Sequence, residues 1–190
     1  MSVSQKPVFN GEFPPRKDGL HAHIAATRRY LNEEQLDEAF ERVRDLYDLK
    51  EQVWPDEVNA IVEEILLQPK TGWKLISIKT SLGTNIIPAA TVVVNDPRGK
   101  RVVSESGGYS TTDAICSAIQ QATGIRAFLK DLWYSNVSAG MNALGQVTMT
   151  VEYHSTEVHS KACSVDILEA IAKAFLTAVN IIVDRANQRL

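Results

Sequence analysis

Cysteine is scarce in this 190-residue chain, which has two, Cys116 and Cys163. Both fall in or beside predicted helices, and the plain reading is a pair of reduced, buried thiols rather than a disulfide. No apolar run reaches the ~18 residues that point to a membrane span. The opening stretch MSVSQKPVFNGEF has neither an apolar core nor a cleavage pattern, so it is not read as a signal peptide. These absences leave the cytoplasm as the default compartment and give no membrane partner. Charge bias is also missing. The net charge is −3 at pH 7, so nothing advertises nucleic acid or an anionic surface.

Motifs that carry bond chemistry are absent too. There is no nucleophile elbow, P-loop or dinucleotide fingerprint, and GTNIIP at 83–88 has too few glycines to cradle phosphate. The four histidines are His21, His23, His154 and His159. His21 and His23 would share a face only in an extended segment, and no acidic or thiol cluster with ligand spacing accompanies them. His154 and His159 read as surface residues at strand ends flanking a turn. Glu33, Glu34, Asp37 and Glu41 read as a solvated helix face. The residues thus give no catalytic group, no metal site and no cofactor, and binding or assembly becomes the first idea to test.

What is present is a real core and a repeat. Hydrophobic residues make up 44% and charged residues 23%, enough for one ordinary domain with an appendage. Residues 1–17 hold Pro7, Gly11, Pro14 and Pro15 and read as an extended, partly mobile arm. Residues 18–70 read as a helical subdomain. Asn32 and Gln35 have the spacing of a capping box, and an apolar stripe runs from Leu36 through Ala39, Phe40, Val43 and Leu46. Pro55 suits the first turn of the next helix, whose apolar face is Val58, Ile61, Val62, Ile65 and Leu66.

From residue 71 to 190 the pattern is βββα, twice, which predicts an α+β domain of tandem, pseudo-twofold βββα units. In the first unit, WKLISIKTSLG, PAATVVVND and RVVSES are strands. The run Val92–Val94 suggests burial on both faces, and the segment 96–99 makes a turn. A helix follows from about Thr112 and stops at Gly124. In the second unit LKDLWYSNVSAG, QVTMTVEYHS and a short strand EVHSKA lead to a helix carrying Ile167, Ala170, Ile171, Ala174, Phe175 and Ala178 on one face.

The loops that open these two helices are the candidate site. The first joins Gly107 and Gly108 to Ser110, Thr111, Thr112 and Asp113. The second is Ala162, Cys163, Ser164, Val165 and Asp166, read as its counterpart. Free N–H groups at a helix start attract a carboxylate. The bland reading is that Thr112, Asp113, Ser164 and Asp166 only cap their helices, and on composition alone that reading has the better claim. A zwitterionic ligand would suit the alternative.

The stretch from Trp73 onward resembles the allosteric, dimerising C-terminal domain of 2-isopropylmalate synthases and the related citramalate synthases. Thr111, Thr112, Asp113 and Ala114 stand where that family has Pro-Val-Asp-Ala. Ser138, Ala139 and Gly140 match its Ser-Ala-Gly turn, followed by Asn142, Ala143 and Gly145. Asp166, Ile167, Ala174, Ala178, Val179 and Asn180 match its last helix. More weakly, residues 18–22 stand in the place of the family's linker motif Ser-Gly-Arg-His-Ala, and residues 40–62 are similar to its helical segment. His21 and His23 therefore align with the linker and not with a metal-binding pair.

The resemblance implies a homodimer and an effector pocket for a small amino acid, leucine or isoleucine in known members. Aligned residue by residue, the pocket would take Ser110, Thr111, Thr112, Asp113 and Ala114 from the first loop. Leu132, Tyr134, Asn136, Ala143 and Gly145 would supply its wall, and Ser164, Val165 and Asp166 would close it. The departures lie in the loops, where Tyr109 and Ser110, and then Ser160 and Ala162, replace family glycines. They narrow the loop mouths, and Asn136 makes the wall more polar than strict leucine selectivity calls for. The family's catalytic part, a TIM barrel of roughly 250 residues, has no counterpart before residue 19. The expectation is a stand-alone regulatory and dimerisation chain, not itself an enzyme, that docks on a separate catalytic synthase subunit, with His21 reaching toward that partner. The alternatives are the non-catalytic part of a split 2-isopropylmalate, citramalate or homocitrate synthase, or a dimeric scaffold with no ligand.

Overall fold

The computed structural model describes residues 6–188. They form two compact units. One runs through Leu66 and adds Asn136–Leu144; the other comprises Leu67–Ser135 and the described residues from Gly145 on.

The first unit is built on three helices, α1 (Lys17–Ala26), α2 (Glu33–Lys50) and α3 (Pro55–Leu67). The capping box at the start of α2 forms in both directions. Asn32 Oδ1 accepts from Gln35 N at 2.8 Å, and Gln35 Oε1 accepts from Asn32 N at 3.1 Å. Its stripe buries Ala39, Val43 and Leu46, while Glu33, Glu34, Asp37 and Glu41 stay exposed. Glu51 ends α2 in the left-handed region at φ 58°. Pro55 opens α3, which buries Val58, Ile61, Val62 and Ile65 but leaves Leu66 exposed.

Three features of this unit go beyond periodicity. Phe9 pairs with Val53 in an isolated antiparallel bridge and is itself buried, so the arm is pinned at that point. His21 and His23 lie in a helix, two positions apart, and so point to different sides. His21 is exposed, whereas Nε2 of His23 is buried with no hydrogen-bond partner, and burial holds the His23 pKa below its ordinary value. Two carboxylates, Glu57 and Glu64, are buried inside α3. Each is held by a cation on α2, Lys50 for Glu57 and Arg42 for Glu64. A buried charge is tolerable only when paired in this way.

The second unit holds the two βββα repeats. Strands β1 (Lys74–Ser81), β2 (Ala89–Asn95) and β3 (Arg101–Gly107) form one antiparallel sheet, and α4 (Thr111–Thr123) packs on it. Strands β4 (Phe128–Asn136), β5 (Gly145–Tyr153) and β6 (Thr156–Ser164) form the other, and α5 (Ile167–Asn187) packs on β5 and β6. The α+β tandem βββα expectation therefore holds. The helices also pack on each other, and one core cluster gathers Val92 and Val94, Val147 and Met149, Ile115 and Ile119, and Phe175. Alternation decides what is buried. In β2, Ala90, Val92 and Val94 point inward and are buried, whereas Val93 is only half-buried. The three-valine run is thus covered on one face, not two.

Two further expectations need correction. The last strand is not short, since β6 runs nine residues. His159 lies within it rather than at its end, with its ring Nδ1 3.1 Å from Thr150 Oγ1 on the neighbouring strand. Helix α5 is covered nearly all round, burying eleven residues between Ala170 and Ile182. Buried among them, Asn180 fastens β1 to α5. Its Oδ1 accepts from Trp73 N at 2.7 Å and its Nδ2 donates to Trp73 O at 2.9 Å. Gly72 is required beside it, because an added Cβ would stand 2.5 Å from Asn180 Cγ.

Candidate functional site

The first loop is shaped by its glycine and its cap. Gly108 N donates to Pro88 O at 3.0 Å, which seats the loop on the β1–β2 connection. A Cβ on Gly108 would come within 2.5 Å of Ala114 N, so only glycine lets the strand pass this close to the helix start. Ser110 is the N-cap of α4, and its Oγ accepts from Asp113 N at 3.1 Å. The Asp113 carboxylate turns back and accepts from Tyr109 N at 2.9 Å. Thr111 and Thr112 are half-buried, Ala114 is buried, and the Tyr109 ring stands fully in solvent.

A surface depression of about 610 Å³ opens beside this loop, lined by residues 85–88, residues 107–109 and Asp113. Its apolar side comes from Ile86 and Ile87, both more than half exposed, and from Pro88. Among the described residues no ion pair neutralises Asp113. Its charge is felt one turn along α4. The Cys116 thiol is pushed up to about 12, first by burial and then by the neighbouring Asp113 carboxylate.

The second loop closes differently. Asp166 is the N-cap of α5 and accepts from Leu168 N at 2.8 Å. Ser164 Oγ accepts from Asp166 N at 3.1 Å and donates to Glu169 Oε2 at 2.7 Å. Glu169 in turn pairs with Lys173, one turn further on, at 2.7 Å. Asp113 and Asp166 are therefore not equivalent. Asp113 is the third residue of its helix and Asp166 is a cap, so the helical counterpart of Asp113 is Glu169. The spacing Asp166-x-x-Glu169 is a capping-box signature that could have revealed Glu169 from sequence. Residues 85–88 carry no such signal, because their place beside the loop depends on how β2 pairs with β3.

The wall residues separate into groups. Tyr134 lies over Gly145, where an added Cβ would meet the ring at 2.6 Å, and Gly145 pairs with Ser164 across β5 and β6. These three come together beside the second loop. Leu132 is half-buried against the core. Asn136, the last residue of β4, and Ala143, in the β4–β5 connection, group with the helices instead. Val165 is exposed. The two loops line separate depressions, since Asp166 and Glu169 border one of about 300 Å³ with residues 75–78 of β1.

Among the described residues, no three His, Cys, Asp or Glu side chains are grouped to hold a metal, and no helix is long and apolar enough to cross a membrane. Two βββα units around a shared core, with shaped loops at both helix starts, define an α+β domain. The family model of the LeuA allosteric (dimerisation) domain matches residues 52–183, and the chain belongs to that family. Its relatives agree. It is 33% identical over 180 residues to the 2-isopropylmalate synthase of Parasynechococcus marenigrum, covering 95% of this chain and 33% of the relative. The corresponding enzyme of Sediminispirochaeta smaragdinae is 34% identical over 168 residues, covering 87% and 33%. That of Pelotomaculum thermopropionicum is 37% identical over 153 residues, covering 79% and 30%. The chain thus spans about a third of the length of the curated relatives it matches.

Proposed function

We propose that this chain is a regulatory module of the 2-isopropylmalate synthase type, working as a homodimer and binding a small amino or organic acid at the loop that opens α4. The observation that carries the reading is the Asp113 carboxylate. It borders an apolar-sided depression and has no cationic partner among the described residues, next to a helix start rich in hydroxyls. An α-amino acid is complementary to such a place. Its ammonium would meet Asp113, its carboxylate the N–H groups and hydroxyls at residues 110–112, and an aliphatic side chain the Ile86 and Ile87 edge. Leucine and isoleucine are the first ligands to test. The module would act on a synthase-type catalytic part, whether on the same polypeptide or another, by binding one of its arrangements better than another.

Calorimetry of the chain against leucine, isoleucine, valine and the matching 2-oxo acids tests the ligand. Light scattering after size exclusion tests the homodimer. Heat with one branched-chain ligand and a mass of two chains is the expected result. A dimer that gives heat with none of them is the scaffold reading. An assay with acetyl-CoA and a 2-oxo acid should give no condensation from this chain alone; turnover would overturn the regulatory reading.

A further inference from the structure

The connection between β4 and β5 differs from the turns elsewhere in its sheet. Asn136, which ends β4, and the connecting residues through Leu144 group with the helices α1–α3 and not with the rest of the two strands. Leu144 is 4% exposed, yet it is not a member of the core cluster beneath the sheets. The tip is internally braced, with Val137 N donating to Leu144 O at 2.8 Å and Leu144 N donating to Ser138 Oγ at 2.9 Å.

Two contacts fasten it to the end of α2. Asn142 Nδ2 donates to Leu49 O at 3.5 Å, and Lys50 Nζ donates to Ser138 Oγ at 3.5 Å. Both are long, but the second donor is fixed in place. The same ammonium pairs with Glu57, which has no exposed surface. Leaving that carboxylate unpaired would be costly, so Lys50 cannot swing away. Glu57 also accepts from Trp54 N at 2.9 Å and thereby closes the start of α3. One ammonium therefore stands where three pieces meet: the end of α2, the start of α3 and the hairpin tip.

We infer that the β4–β5 hairpin is a coupling lever, with its arms in the sheet and its tip built into the helical unit, so that a shift in β4 or β5 reaches the α2–α3 junction through Lys50. This gives the regulatory reading a route, although the coupling itself needs no ligand. Coupling between two places is reciprocal, and that supplies the test.

Amide hydrogen exchange on the full chain reads it. Leu144→Ala should speed exchange across residues 50–58 by about tenfold, and the double variant Ser138→Ala/Asn142→Ala by about threefold, with β6 and α5 unchanged. In the other direction, Lys50→Met should speed exchange at Val137 and Leu144. Faster exchange confined to residues 137–144 in the first two variants overturns the inference, and so does transmission in one direction only. If Leu144→Ala or Lys50→Met fails to fold, the double variant decides alone. A chain that binds no amino acid but transmits in both directions keeps the lever and loses the regulatory reading.

Discussion

The two βββα units share an architecture and differ at their helix starts. In the first, α4 is 13 residues long and its opening loop stands over a depression with an uncompensated carboxylate. In the second, α5 is 21 residues long and buried nearly all round, and Lys173 answers the carboxylate at the equivalent helix position, Glu169. The difference between Asp113 and Glu169 is therefore one of partners and not of fold. A duplicated unit can bury one copy's helix nearly all round and leave the other's helix start open to the surface.

The largest expected effect breaks the second unit. Phe175 has no exposed surface and sits in the shared core. Phe175→Ala should cost about 3–5 kcal/mol in denaturant unfolding, because it leaves a cavity between packed elements. A loss under about 1 kcal/mol would mean that α5 is not the central element.

Next comes the first loop. Gly108→Ala forces a Cβ onto the backbone of Ala114 and should cost about 1–3 kcal/mol, as overpacking does. A stability scan that finds this variant neutral would contradict the close approach that shapes the site.

A smaller effect reads the charge of Asp113 through its neighbour. The Cys116 thiol, pushed up to about 12, should resist thiol reagents at pH 8 in the folded chain. In Asp113→Asn the same thiol should titrate lower, since a negative charge that disfavours the thiolate has gone. A thiol absorbance titration checks the sign, and an unchanged Cys116 would mean that Asp113 does not face it.

The smallest effect is a gain. The β5–β6 turn puts His154 at φ 47° and Ser155 at φ 59°, and neither is glycine. The corresponding turn of the first sheet uses Gly99 at φ 81°. Ser155→Gly should stabilise the chain by roughly 0.5–1 kcal/mol, because a two-residue hairpin of this kind favours glycine at its second position. Thermal melts resolve that gain, and a lower midpoint would refute it.

Much of the fold was legible because it is local. The capping box at Asn32, Pro55 at the start of α3 and the alternation in β5 each follow from neighbours in sequence. What escaped depends on partners distant in sequence. Val93 reads like its flanking valines, and only the sheet's one-sided covering leaves it half-buried. Phe9 sits in a proline-rich arm and is buried only because Val53 pairs with it. In the site, the Gly108–Ser110–Asp113 cluster was legible as a helix opening. The pairing of Asp113 with Asp166 was not, because sequence similarity aligned two aspartates that occupy different helix positions. The contribution of residues 85–88 needed the strand register.

The most direct test of the central claim compares the two carboxylates in one calorimetric series. Leucine and isoleucine are titrated into the unmodified chain, Asp113→Asn and Glu169→Gln. Binding is expected in the unmodified chain, near-equal binding in Glu169→Gln, and a loss of at least about tenfold in Asp113→Asn, the cost of removing a charged hydrogen-bond partner. Equal weakening in both variants, or binding unaffected by Asp113→Asn, would contradict the division of labour between the two units.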